Sequence, residues 1–144
     1  MSELRIDLPT EQRSFRPGEA IEGVVSWTLD AAAHAVEVRL LWYTRGKGDG
    51  DVGVADLVRF DAPASADSQI FRFIAPNGPW SFDGRLVSLV WAIDAIADLK
   101  GLKSDLVRRV DLTIGPDGRP VTLTSTALAP GDGADDDGSD DAGA

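Results

Sequence analysis

Apolar residues recur at every second position along most of this 144-residue chain, in short runs that end at turn residues. The run "VEVRLLWY" is typical, and it places four large side chains on one side of an extended backbone: Val36, Val38, Leu40 and Trp42. Because the side chains of a β-strand alternate between the two faces of its sheet, this period predicts strands with one buried face.

Six segments share the pattern. Their predicted inward sets are Leu4, Ile6 and Leu8; Ile21, Gly23, Val25, Trp27 and Leu29; Val36, Val38, Leu40 and Trp42; Phe71 and Phe73; Val87, Leu89, Trp91 and Ile93; and Val110, Leu112 and Ile114. A further segment, "VGVADLVRF" at 52–60, loses its phase near Asp56, which predicts a bulge or an irregular edge. Short strands of this kind predict an all-β, single-domain antiparallel β-sandwich of two sheets, immunoglobulin-like in architecture.

The segment "DAIADLKGLKSDL" at 94–106 is the best candidate for a helix, but Gly101 interrupts its helical spacing. The preceding strand phase runs directly into it, so we predict extended structure followed by a loop at 98–104. Asp94 falls on the outward phase of that strand and is expected to be solvated. Arg108 falls on the inward phase of the next strand, so either that strand begins after it or its side chain reaches solvent at the end of the sandwich.

The corner "PNGPWSFDG" at 76–84 is rich in residues with special backbone properties. Pro76 and Pro79 fix the backbone angle φ, and its two glycines tolerate positive φ. This composition favours a crossing from one sheet to the other, with Trp80 and Phe82 closing the end of the sandwich. An aromatic ligand-binding corner is the alternative interpretation.

Charge is unevenly distributed along the chain, whose formal net charge is −10. The segment from Pro130 onward holds six aspartates and no apolar residue larger than alanine: Asp132, Asp135, Asp136, Asp137, Asp140 and Asp141. Such a segment cannot bury enough apolar surface to offset its ordering entropy. We therefore predict a folded domain over 1–128 and a disordered acidic tail over 129–144.

The acidic balance argues against nucleic-acid binding, because phosphates would be repelled. A basic stretch in the body, with Lys100, Lys103, Arg108 and Arg109, suggests the hypothesis that the acidic tail folds back onto it. The sequence has no cysteine, which excludes disulfides and thiolate metal sites. It shows neither an export signal nor a membrane-spanning apolar run, so we expect a cytoplasmic protein without membrane insertion.

Catalytic signatures are missing from the sequence. Its one histidine, His34, lies in an "AAAHA" segment that we predict to be a surface loop between strands, without a nucleophile motif nearby. The loop "RGKGDGDVG" at 45–53 lacks the spacing of a phosphate-binding loop. Asp49 and Asp51 could contribute oxygen ligands to calcium, but too few to complete its coordination. We expect no enzymatic activity, no cofactor and no metal.

Three segments resemble the arrestin-like fold family: "FRPGEAIEGVVSW" at 15–27, "VEVRLLWYTRGKG" at 36–48 and "FRFIAPNGPWSFDGRLVSLVWAIDAIAD" at 71–98. The order and spacing of these segments are most similar to small bacterial arrestin-like proteins related to sporulation-control proteins. The resemblance covers about residues 4–116. Arrestins contain two tandem sandwiches, whereas this chain has length for one, so receptor recognition is not implied.

The resemblance implies a non-catalytic protein–protein interaction scaffold or adaptor that binds partners through loops and a sheet edge. The residues expected to contact such a partner are Tyr43, Arg45, Lys47, Asp49, Trp80 and Phe82. A ligand-binding or calcium-binding β-sandwich module is the alternative. The sequence does not identify the partner or the oligomeric state.

Overall fold

A computed structural model describes residues 2–46, 50–84, 86–101 and 104–122. Over these residues the chain forms ten strands and no helix, so none of the described segments is a helix that could cross a membrane. The strands are β1 (Glu3–Asp7), β2 (Ser14–Phe15), β3 (Ala20–Thr28), β4 (Ala33–Gly46), β5 (Val52–Asp61), β6 (Ala66–Ile74), β7 (Phe82–Asp83), β8 (Val87–Leu99), β9 (Leu106–Ile114) and β10 (Val121–Thr122). The predicted acidic tail lies outside the described residues.

The described strands form two sheets, which confirms the predicted β-sandwich. The small sheet has the order β1-β3-β6. The large sheet has the order β10-β7-β8-β4-β5, and β9 also pairs with β8 and carries β2. The long ladders are antiparallel, as predicted, whereas the two-residue strands β2 and β10 pair in parallel with β9 and β7.

The core between the sheets is made by the alternating residues. Nearly every predicted inward side chain is buried or packs against the core, and the exception is Val87, which is 38% exposed near the start of β8. Trp91 is fully buried, and its indole N–H donates a 2.7 Å hydrogen bond to the carbonyl oxygen of Pro79. The corner therefore serves the core directly, since it supplies the acceptor that a buried indole requires.

The predicted irregularity in 52–60 is a bulge at Ala55. Leu40 pairs with Asp56 whereas Leu41 pairs with Val54, so one residue of β5 has no counterpart on β4. The bulge reverses the phase of β5, and it places Val54 on the same outer face as Leu57.

Candidate partner-binding site

The outer face of the large sheet carries a polar cluster centred on Tyr43. The guanidinium of Arg109 lies 4.4 Å from the centre of the Tyr43 ring, which is a cation–π contact. The same guanidinium donates to both carboxylate oxygens of Asp94, at 2.7 and 2.8 Å. The Tyr43 hydroxyl donates to Asp111 Oδ1 at 3.0 Å. Three strands, β4, β8 and β9, are thus linked by side chains above the sheet.

The electrostatics of this cluster hold Tyr43 and Arg109 in their hydrogen-donating forms. Burial raises the pKa of the Tyr43 hydroxyl, and its hydrogen bond to the Asp111 carboxylate raises it further. The hydrogen bond to Asp94 raises the pKa of Arg109 despite the opposing effect of burial. Tyr43 is therefore neutral, and Arg109 is charged, at neutral pH.

Asp94 departs from its predicted environment. It does lie on the outward phase of β8, but it is only 5% exposed, so the expectation that it is solvated was wrong. Its cross-strand neighbours are Arg39 on β4 and Arg109 on β9, and Arg109 engages it directly. A carboxylate this well buried is retained because it is paired.

A second ionic cluster joins β4 to β5 on the same outer face. Glu37 accepts hydrogen bonds from Arg39 at 2.9 Å and from Arg59 at 2.6 Å, and Arg59 also binds Asp61. Burial raises the pKa of the Glu37 carboxyl, but the two arginines outweigh it, so this pKa lies below its ordinary value. The cluster fixes the outer surface of β5 at its C-terminal end.

A cavity of about 290 Å³ lies beside the Tyr43 cluster, where β7 gives way to β9 along β8. We call it the arginine pocket. Its chemically distinctive lining residues are Arg13, Arg45, Phe82, Asp83 and Asp111.

The two carboxylates of the arginine pocket each accept a hydrogen bond from a hydroxyl group. Ser88 Oγ donates to Asp83 at 2.8 Å, and Tyr43 donates to Asp111. Neither carboxylate forms an ion pair with an arginine of the pocket within the described chain. Negative and positive groups thus share one cavity without neutralising each other through direct contact.

The two arginines of the pocket are exposed and are not paired with carboxylates. Arg13 Nη1 donates to the backbone carbonyls of Thr10 and Gln12, each at 3.0 Å. The side chain of Arg45 forms no hydrogen bond or ion pair within the described part of the chain, although its backbone belongs to the β4–β8 ladder. These guanidinium groups are available to an incoming anionic group.

A different surface lies at the edge of the large sheet formed by β5. No other described strand pairs with β5 on the side away from β4. Three aliphatic side chains on its outer face are exposed: Val52 by 65%, Val54 by 49% and Leu57 by 48%. The strand therefore offers backbone groups without a partner strand beside apolar side chains, and the amide of Leu57 donates to Asp56 Oδ1 at 2.8 Å.

The next strand, β6, is an edge of the small sheet and exposes two aliphatic side chains on its outer face, together with Ser68 and Arg72. Ile70 is 77% exposed and Ile74 is 48% exposed. Of the eight exposed large hydrophobic residues in the described ranges, five lie on β5 and β6. Single exposed aliphatic residues are ordinary, so the notable feature is their concentration on two edge strands, one in each sheet.

The structure places the predicted contact residues in different surroundings. Arg45 and Phe82 line the arginine pocket. Tyr43 does not line it but donates a hydrogen bond to Asp111, which does. Trp80 is partly buried against the core and does not line the pocket. Lys47 and Asp49 lie outside the described residues.

Sequence reasoning missed Arg13, Asp111 and the Asp94–Arg109 pair. The sequence does contain one signal for the Asp94–Arg109 pair, namely opposite charges at outward positions of two successive strands, β8 and β9. The register that joins those charges was not readable from the alternation alone.

The alternative interpretation, a calcium-binding module, would require a cluster of metal-ligating side chains. Within the described ranges, no group of three or more His, Asp or Glu side chains is arranged to hold a metal ion. Asp49, one of the two proposed calcium ligands, is not among the described residues. His34, predicted in a loop, is an exposed residue of β4.

The described chain has an arrestin-like β-sandwich fold. It is similar to the crystal structure of Spo0M, a sporulation control protein from Bacillus subtilis, with a TM-score of 0.60 and 15% sequence identity. The match covers 78% of this chain and 49% of that chain, so the similarity extends over about half of Spo0M. No protein-family model and no curated protein matches the sequence. At this level of identity the likeness shows the fold alone.

Proposed function

We propose that this chain is a non-catalytic protein-interaction module that binds an extended segment of a partner protein along β5. The observation that carries the proposal is the unpaired edge of β5 with Val52, Val54 and Leu57 exposed beside it. Strand addition satisfies free backbone N–H and C=O groups, while alternate side chains supply specificity. The matching segment carries aliphatic residues at alternate positions facing these three.

The size of the apolar contact sets the strength expected of such a complex. Fully burying an aliphatic side chain contributes about 1.5–3 kcal/mol, so completing the burial of three half-exposed ones contributes about 2–4 kcal/mol. A micromolar complex requires about 8 kcal/mol. Backbone hydrogen bonds and neighbouring loops must therefore supply the remainder, and we expect a reversible complex.

Features of β5 also limit indiscriminate pairing. Edge strands avoid aggregation through bulges and charges, and β5 has a bulge at Ala55 together with Asp56, Arg59 and Asp61. These features favour a partner whose sequence matches the edge over self-assembly. The chain shares its fold with a protein described as a sporulation control protein, and a regulatory role is part of the proposal.

Site-specific photo-crosslinking in the native cell tests the proposal. A photoreactive phenylalanine analogue replaces Leu57 in one variant and Ile70, on the edge of the small sheet, in a matched control variant. We expect a discrete crosslinked protein from position 57 that is absent from position 70. Val54→Lys in the same chain should abolish that product, whereas Ile74→Lys should not.

A product of equal yield at both positions, a product that survives Val54→Lys, or no product at position 57 would each contradict binding along β5. Circular dichroism of the purified variants establishes that each substitution leaves the all-β fold intact.

A further inference from the structure

The edge of the small sheet formed by β6 is regular, whereas the edge formed by β5 has a bulge. The ladder between β3 and β6 runs from one end of β6 to the other without a register shift, and no other described strand pairs with β6 on its far side. Ile70 and Ile74 are exposed along this edge. A regular edge with exposed aliphatic side chains is a template for pairing with another chain, because bulges and free charges are what normally prevent it.

The charged residues of β6 are already engaged within its own sheet. Arg72 forms an ion pair with Glu22 on the neighbouring strand, at 3.1 Å. The carboxylate of Asp67 accepts from the side chain of Gln69 at 3.0 Å and from the amide of Ser68 at 2.8 Å. An added strand must displace the bond to the Ser68 amide, but it meets no charge without a partner among these residues.

The hydrogen-bonding groups at the free edge belong to the residues whose side chains face outward. At one end of the ladder Leu29 N–H donates to the Ser65 carbonyl at 2.7 Å, and at the other end Ala75 N–H donates to the Glu19 carbonyl at 2.8 Å. Alternate residues of an antiparallel strand bond to the same neighbour. The odd-numbered residues of β6 therefore bond to β3, and the even-numbered residues present their N–H and C=O groups to the free edge.

The outward side chains of β6 form a palindrome of apolar and polar residues. In chain order they are Ala66, Ser68, Ile70, Arg72 and Ile74. A second copy of the strand, reversed about Ile70, places Ile70 against itself, Arg72 against Ser68, and Ile74 against Ala66. We infer that two copies of this chain pair antiparallel through β6, with Ile70 on the two-fold axis. Such an interface uses the same patch on both copies and closes after two.

Other registers match the side chains less well. An axis at Arg72 brings two guanidinium groups directly opposite each other, which is destabilising. An axis at Ser68 leaves Arg72 opposite Ala64, which precedes the strand. Moving the axis by one residue from Ile70 in either direction pairs that isoleucine with Ser68 or with Arg72. Only the axis at Ile70 pairs apolar residues with apolar ones and polar residues with polar ones along the whole strand.

Sedimentation velocity of the full chain tests the pairing. We expect the mass to double between about 1 μM and about 1 mM, the range in which a weakly bound dimer dissociates. A salt concentration of about 150 mM, where the Debye length is ~8 Å, screens the repulsion between two acidic chains. Ile70→Lys places two positive charges on the axis and should leave the chain monomeric throughout.

Two matched controls add the same charge at other exposed aliphatic residues. Val107 on β9 and Leu57 on β5 are each 48% exposed. Val107→Lys and Leu57→Lys should both dimerise as the unaltered chain does. Circular dichroism of each variant establishes that the all-β fold is intact.

Cysteine crosslinking tests the register, because the sequence contains no cysteine of its own. Hydrogen-bonded antiparallel partners have Cα atoms about 5.5 Å apart, which is within the span of a disulfide. Ile70→Cys should therefore give a disulfide-linked dimer on mild oxidation. Arg72→Cys alone should not, because the two copies of residue 72 lie four residues apart along the strands, about 14 Å. A mixture of Ser68→Cys and Arg72→Cys chains should link again, since these positions face each other.

Three results would each overturn the inference: a single-chain mass at about 1 mM, a doubled mass that survives Ile70→Lys, or a dimer that is lost in Leu57→Lys. Efficient linking of Arg72→Cys alone would overturn the register. Strand addition along β5 can fail while this pairing holds, and the reverse, because the two use edges of different sheets. Photo-crosslinking from position 70 would then join two copies of the chain, whereas the product expected at position 57 contains another protein.

Discussion

Removing the Asp94–Arg109 pair should destabilise the sandwich measurably, although both residues lie on the outer face of a sheet. Asp94→Asn keeps the shape of the side chain but removes its charge, and its amide group then meets a guanidinium donor. Arg109→Met keeps an apolar stem near Tyr43 but removes both hydrogen bonds. The pair can therefore be measured by a double-mutant cycle, which isolates their mutual interaction.

The expected magnitude follows from the geometry. Hydrogen bonds to charged groups contribute about 1.5–3 kcal/mol each, so two of them set an upper bound of about 3–6 kcal/mol. The side chain of Asp94 is 7% exposed but that of Arg109 is 40% exposed, so solvent screens the pair substantially. After this discount we expect a coupling free energy of about 1–2 kcal/mol, above the range of exposed pairs.

Urea denaturation followed by tryptophan fluorescence measures the four free energies of unfolding. The matched control is the Arg5–Asp7 pair, whose atoms are 3.4 Å apart and whose side chains are 59% and 53% exposed. We expect its coupling to be below about 0.5 kcal/mol. Equal coupling in the two pairs would refute the claim that burial of Asp94 makes its ion pair structural.

Three further predictions concern Tyr43, Gly53 and calcium. Tyr43 is the only tyrosine, so absorbance titration should show its hydroxyl ionising above the ordinary pKa of about 10. The free energy of unfolding should fall as pH rises past that value, because the tyrosine of the unfolded chain ionises first. Asp111→Asn should lower the pKa of Tyr43. Gly53→Ala should cost about 1–3 kcal/mol in urea denaturation, because its Cβ would overlap the Trp42 indole; the control Gly50→Ala meets nothing closer than 3.7 Å and should be nearly neutral. Calcium should leave the melting temperature unchanged. If the folded chain had a calcium site, calcium at a hundred times the dissociation constant would add about 2.7 kcal/mol to the free energy of unfolding.

The sandwich itself was predictable because its core obeys the two-residue period. Trp27, Phe71 and Trp91 all lie inward as their phase indicated, and the loss of phase near Asp56 marked the bulge. Alternation reports which face of a strand is buried, and that is a local property of the sequence.

The outer-face clusters were not predictable from the same signal. Whether Asp94 is solvated depends on which residue of another strand lies beside it, and register is a nonlocal property. The arginine pocket likewise depends on where β7 ends and β9 begins beside β8, and Arg13 reaches it from a segment far away in sequence.

Hydrogen exchange of the chain, alone and in complex with the protein crosslinked at position 57, tests strand addition along β5 most directly. Pairing with an added strand should slow exchange of backbone amides on the free edge within 52–61, since those N–H groups would gain partners. Unchanged exchange across 52–61, with protection appearing only elsewhere in the complex, would contradict the proposed mode of binding.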